Sequence, residues 1–254
     1  MTRPYVLAES TWKTVDATPY TAAILPWGAT EAHNYHLPYG TDNIQAEQIA
    51  IRAAERAWNN GARVVVLPTV PFGVNTMQLH IKLCLNMNPS TQAALLSDLV
   101  EALDAKGIHK LLVLNGHGGN DFRQMIRELQ PNTRVFLSMI NWWSCVDVDQ
   151  FIEEKGDHAG EAETAAMLYL APGLVAPLAQ AGAGRARRSR LTGIREGWAW
   201  APRRWTSVTA DTGIGNPAKA TVQKGEAYVN AVVQRVAQYL VELAAMNLDD
   251  LYEG

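Results

Sequence analysis

The chain is short of cysteine, of net charge and of long apolar runs, and each shortage removes a class of protein. Its two cysteines, Cys84 and Cys145, form no CxxC pair. A disulfide-built secreted domain needs more, so both read as small buried hydrophobes. The formal net charge is only -3, from 22 basic and 25 acidic residues. That near balance gives no reason to expect nucleic acid or an anionic membrane as a partner. No apolar run approaches the roughly 18 residues of a spanning helix. Met1 to Ser10 lacks the basic flank and apolar core of a signal peptide. The expected location is the cytoplasm. Repeats, low-complexity tracts and linkers are also missing, so residues 1–254 read as one domain.

Apolar residues make up 48% of the chain, enough for a sizeable core. Four short apolar runs read as buried strands: 21–26 (TAAILP), 63–68 (RVVVLP), 110–114 (KLLVL) and 134–140 (RVFLSMI). Helical patterns separate them, over 44–58, 90–106 and about 121–129. Thr41 or Asp42 suits the N-cap of the first of these helices, and Ser90 that of the second. A further helix is expected to run to about Leu170. The last has Asn216 as N-cap, Pro217 at its first position, and Val229, Val232, Val233, Val236, Leu240 and Leu243 on one face. Strands alternating with helices predict an α/β fold with a mostly parallel sheet covered on both faces.

Polar clusters follow three of these strands, at the edge where open α/β sheets bind ligands. After the first comes Glu31-Ala32-His33-Asn34-Tyr35-His36-Leu37-Pro38-Tyr39-Gly40-Thr41-Asp42. Glu31 and His33 are two apart, so in extended chain they project to one side. Asp42, after a glycine turn, can return to the same point. Carboxylates mixed with imidazoles suit zinc, manganese, iron or cobalt. After the third strand comes Asn115-Gly116-His117-Gly118-Gly119-Asn120, whose glycines permit tight turning. After the fourth come Trp142 and Trp143, a candidate apolar wall for a substrate. Later, Asp157-His158 and Glu161, Glu163 add an acid–imidazole pair and two further carboxylates. His158 suits proton transfer to a leaving amine, and Asp157 either orients it or opens a helix. Glu161 and Glu163 diverge on a helix, so one at most faces a metal easily. His80 and His109 lie outside these motifs and read as ordinary.

These motifs together resemble the creatininase (creatinine amidohydrolase) family. The residues that carry the resemblance are Glu31, His33, His36, Leu37, Pro38, Gly40, Thr41 and Asp42, then 115–120, then His158-Ala159-Gly160 with Glu163-Thr164, then Gly213, Gly215, Pro217, Ala220 and Thr221. The resemblance spans nearly the whole chain, in order. It implies a three-layer α/β/α fold, ring-shaped homo-oligomers (often hexamers), and a site for two divalent metal ions, zinc or manganese first and iron third. By motif, Glu31, Asp42 and His117 hold one ion. His33 and Asp42 hold the other, with Asp42 bridging. His158 matches the catalytic histidine, and His36 matches a position outside the metal set, either behind the ligands or in the pocket lining. Two departures argue against creatinine as substrate. Creatininases carry a glutamate ligand two residues after the histidine of the glycine motif, where this chain has Gly119. They also carry a substrate-stacking tryptophan four residues before the catalytic histidine, where this chain has Glu154. Glu163 is the first candidate for the missing ligand and Glu161 the second.

The expected activity is metal-dependent hydrolysis of a non-peptide or cyclic amide C–N bond in a small molecule by a metal-activated water. His158 would protonate the leaving nitrogen, and Asn120 or glycine N–H groups would steady the oxyanion. Alternatives are another bond (formamide, peptide-like amide or phosphoester) or a non-catalytic metal-binding member. The arginine-rich stretch 185–204 would suit an acidic substrate, a solvated loop or a subunit interface.

Overall fold

The computed structural model describes residues 3–252. Its elements run α1 (Trp12–Asp16), β1 (Ala22–Trp27), α2 (Thr41–Asn59), β2 (Val64–Val66), α3 (Pro89–Ala105), β3 (Lys110–Asn115), α4 (Arg123–Leu129), β4 (Phe136–Asn141), α5 (Glu161–Leu170), α6 (Thr192–Glu196), α7 (Trp205–Val208) and α8 (Val222–Ala245). The four strands form one sheet in the order β2-β1-β3-β4, every pair parallel.

All six residues of β1 are buried, because both faces of the sheet are covered. Alternation divides them. Ala22 and Ile24 pack under α2 and α8, with Ile49, Val229 and Val233. Ala23, Leu25 and Trp27 face the other way, against Leu96 and Val100 of α3 and Phe122. Full burial of each such aliphatic or aromatic side chain contributes about 1.5–3 kcal/mol. All six apolar positions expected on one face of the last helix are buried.

Helix starts differ from the expected caps. α2 begins at Thr41 with Gly40 as N-cap, and α3 at Pro89 with Asn88 as N-cap. α8 begins at Val222, where Thr221 Oγ1 accepts from the Lys224 N–H (3.2 Å). Pro217 instead belongs to a turn closed by the Ala220 N–H on its carbonyl (2.9 Å). The preceding residues are held back by pairing of Ile214 with His158.

The strand order places a switch point between β1 and β3, since the chain leaves β1 towards β2 and crosses back to β3. Loops diverge there at the carboxyl edge and leave a crevice. The segments after β1 and β3 and the first turns of α2 and α5 supply the residues described next.

Candidate active site

Three carboxylates and three imidazoles meet in that crevice: Glu31, Asp42, Glu163, His33, His117 and His158. Asp42 lies between two sets. Its Oδ2 is 3.0 Å from His117 Nδ1, which is also 2.8 Å from Glu31 Oε1. Its Oδ1 is 3.0 Å from His33 Nε2, and Glu163 joins that second set. His158 Nδ1 lies 3.8 Å from Glu31 Oε1, and its ring centroid is 4.2 Å from that of His33.

Local structure brings them there. Asp42 and Glu163 sit in the first turns of α2 and α5, where the helix dipole favours a carboxylate. α2 can approach β3 because residue 116 is glycine. A Cβ there would lie 2.7 Å from the Asp42 carbonyl oxygen. Glu163 also accepts from the Ala159 N–H. Glu161 turns the other way, to Lys224 Nζ and the N–H groups of Glu153 (3.0 Å) and Glu154 (2.7 Å), so it does not reach the cluster.

Each imidazole has one nitrogen committed to a backbone carbonyl: His33 Nδ1 to Glu31 (3.1 Å), His117 Nε2 to Val74 (3.1 Å) and His158 Nε2 to Ala32 (2.9 Å). A carbonyl only accepts, so that nitrogen carries the N–H. The other nitrogen of each neutral ring then turns a lone pair towards the carboxylates. Among the described residues, Glu31 and Asp42 have only imidazoles as charged partners. Asp42 Oδ2 lacks a well-formed hydrogen bond although it is buried. Lone pairs converging on carboxylates demand positive charge. Burial opposes a His33 cation, yet Asp42, Glu163 and Glu31 push its pKa up to about 10. Against the same burial, Glu31 and Asp42 hold His117 well above its usual range. Burial resists ionisation of Glu31, but His117 and His158 hold it below the usual carboxylate range. Glu163 is raised, because burial outweighs His33 and His158. Divalent cations answer that demand with the rings neutral, so the donor set fits metal.

Four expected site residues stand elsewhere. Asp157 does not touch His158. Its exposed carboxylate pairs with Arg203, and α5 starts only at Glu161, so it neither orients the imidazole nor opens the helix. The Ala32 carbonyl orients His158 instead. Asn120 is used up as a brace. Its Oδ1 accepts from the Val74 N–H (3.0 Å) and Gln92 (2.8 Å), and its Nδ2 donates to Asn115 (3.0 Å) and Gly28 (3.4 Å). No part of its amide is left for an oxyanion. His36 sits behind the cluster, bonded to Thr164 Oγ1 (2.8 Å), with burial and His33 pushing its pKa down to about 4. Of the two places expected for it, it takes the one behind the ligands and not the lining of the cleft. Glu161 is excluded by the contacts above.

A cleft of about 940 Å³ opens over the cluster. Trp142 and Trp143 both line it. Trp142 is also core, packed on Tyr228 at 5.6 Å between centroids. Sequence reasoning missed Tyr228 on α8 and Gln78, whose buried amide donates to Glu31 Oε2. It also missed Cys84, whose Sγ accepts the Ala32 N–H (3.2 Å). A lone glutamine or cysteine in an irregular loop gives no pattern to read. Gly119 is closely packed. A Cβ there would collide with the Val74 carbonyl and the His117 ring. Glu154 lies at the surface, 3.2 Å from Lys219.

Known proteins agree with this architecture. A crystal structure of a provisionally named creatinine amidohydrolase from Bacteroides fragilis NCTC 9343 has a TM-score of 0.94 and 42% identity, over 100% of both chains. The manganese form of creatininase has a TM-score of 0.80 at 22% identity over 96% of this chain and 100% of its own, a likeness of fold. The creatinine amidohydrolase of Pseudomonas putida is 26% identical over 200 residues, 69% of this chain and 75% of its own. A mycofactocin precursor peptide peptidase of Mycobacterium tuberculosis (strain ATCC 25618 / H37Rv) is 26% identical over 231 residues, 85% of each chain. The family model described as creatininase, creatinine amidohydrolase, matches residues 8–240, and the chain belongs to the creatininase family.

Proposed function

We propose that this protein is a metal-dependent hydrolase of an amide C–N bond in a substrate other than creatinine. One observation carries the reading: three imidazoles tethered by backbone carbonyls turn their other nitrogens onto buried carboxylates. Glu31, Asp42 and His117 would hold one divalent ion, and His33, Asp42 and Glu163 a second, with Asp42 shared. Zinc and manganese suit this mixture of nitrogen and oxygen donors. When bound, such ions supply Lewis acidity and make water acidic enough to ionise near neutral pH.

The chain's own residues supply the rest. His158 Nε2 donates to Ala32, so its Nδ1 is the atom that takes up the proton water loses and passes it to the substrate. In the net reaction a water oxygen bonds to the carbonyl carbon and the C–N bond breaks. The proton that this water releases passes through His158 Nδ1 to the nitrogen, which leaves as the amine. Gln78 steadies the Glu31 carboxylate for its role as a ligand. Trp142 and Trp143 offer an apolar wall to the bound amide.

A peptide-like amide is the favoured second reading, supported by the similarity to mycofactocin precursor peptide peptidases. The test is elemental analysis with turnover on a panel of small and peptide-like amides, with added manganese or zinc. Two metals per chain and amide hydrolysis abolished by a chelator are expected. Retention of two metals per chain by Asp42→Asn would refute the shared-ligand assignment.

A further inference from the structure

The segment from α6 to α7 walls one side of the cleft, and the metal-ligand reading leaves it without a role. It is pinned at both ends. At one end Trp198 lies against Gly193, where a Cβ would come within 2.8 Å of its ring, and Trp198 Nε1 donates to Glu196 (3.1 Å). The Ala199 N–H closes this turn on the Gly193 carbonyl (3.0 Å). At the other end Arg203 pairs with Asp157 and stacks on Trp205 at 4.7 Å, and the Trp205 ring meets His158 edge-on at 5.2 Å. Between these anchors Trp200 lines the cleft with 83% of its surface exposed. A large ring held by a braced loop, with no packing partner of its own, is a low-entropy contact surface for a ligand.

The charges around the cleft narrow the choice of ligand. Arg203 is neutralised by Asp157, and Lys155 by Asp149; all four line the cleft. The other arginines of 185–204 lie off it. Among the described residues, the cleft therefore offers an acidic substrate no side-chain cation without a carboxylate partner. The rest of the lining holds the amides of Asn75 and Gln78 and the carboxylate of Asp121, which repels an acidic ligand, and an apolar group formed by Val148, Ile152 and Ile194 alongside the tryptophans. The volume, about 940 Å³, is at the upper end of the roughly 300–1,000 Å³ of small-molecule clefts. One small ring would leave most of it empty.

We propose that Trp200 is a specificity-determining residue that seats the apolar or aromatic group of an uncharged amide substrate larger than a single small ring. This rests on the amide-hydrolase reading for the bond cleaved, but the binding it describes can be measured without turnover. The metal-loaded full-length protein and its W200A and W200F variants are titrated calorimetrically with N-acetylphenylalaninamide and with N-acetylglutamic acid α-amide. Kinetic constants for the same compounds and for formamide follow. The wild type is expected to prefer the aromatic probe over the acidic one. W200A should cut that preference about tenfold, chiefly through affinity and KM, while W200F keeps most of it. The proposal is overturned if the wild type prefers the acidic probe or binds neither, or if W200A leaves the aromatic preference intact. It is also overturned if W200A changes the mass in light scattering and weakens all probes equally, which would make Trp200 an inter-subunit contact. Selective binding of the aromatic probe with no amide hydrolysed would sustain this inference and sink the hydrolase reading.

Discussion

At the scale of single residues, the groups that brace the ligands have no room and no hydrogen bond to spare. Gly119 shows why one atom matters. The Val74 carbonyl and the His117 ring occupy the space of a Cβ, so Gly119→Ala should destabilise the fold by about 1–3 kcal/mol, measured by urea unfolding. Gly119→Glu, which restores the residue that creatininases carry there, should gain no creatinine hydrolysis, because the carbonyl holding His117 stands in its way. Asn120 follows a different logic. Asn120→Ala leaves the Val74 N–H and the Gln92 amide without their acceptor, at about 1–3 kcal/mol each, with a fall in melting temperature as the readout. Glu31, His33, Asp42 and His117 were legible because short spacings after apolar strands put them at one sheet edge. The brace made by Asn120 was not, since three of its four partners lie 28 to 92 residues away.

Among the elements, the packing of α5 on α8 sets where Glu163 sits. Gly225 of α8 lies so close to the Ala165 carbonyl of α5 that a Cβ would overlap it. Gly225→Ala should therefore push the helices apart, at about 1–3 kcal/mol. Elemental analysis should find less bound metal, because the second ligand set loses its carboxylate. Glu161, on the same helix, is expected to behave differently. Glu161→Leu should lower stability through the orphaned N–H groups of Glu153 and Glu154 while metal content is kept. Periodicity revealed the strands and the buried face of α8, since burial on one side imposes it. The start of α8 did not follow from Pro217. The pairing of Ile214 with His158 is a long-range contact, and it outweighs a local preference for proline at a helix start.

For the whole molecule, stability should depend on metal and on pH in separable ways. Ligands that bind the folded state alone stabilise it, so manganese or zinc at a hundredfold excess over Kd should add about 2.7 kcal/mol, read as a rise in melting temperature that a chelator reverses. A second dependence comes from Asp104 at the end of α3, which ties that layer to the start of β4 through Arg134 (2.7 Å). Burial raises its pKa, but the Arg134 backbone and guanidinium outweigh burial and hold it below the usual carboxylate value. A folded value below the unfolded one stabilises the protein fully above the unfolded pKa. That contribution fades as pH falls through the folded value. In chelator, Asp104→Asn should have a lower urea midpoint than wild type at about pH 7 and converge on it at about pH 2.

The sequence by itself determined the layered α/β architecture and the edge of the sheet that carries the polar motifs. Apolar periodicity and residues close in the chain are local facts, and strand ends inherit their side from the strand. Tertiary structure alone decided which second carboxylate turns inward: Glu163 faces His33 and Asp42, while Lys224 from α8 captures Glu161. It also decided that a carbonyl, not Asp157, aims His158, and that paired charges and an unpartnered Trp200 line the cleft. These outcomes depend on which segments, distant in the chain, compete for the same side chain. Spacing along a chain carries no record of that competition.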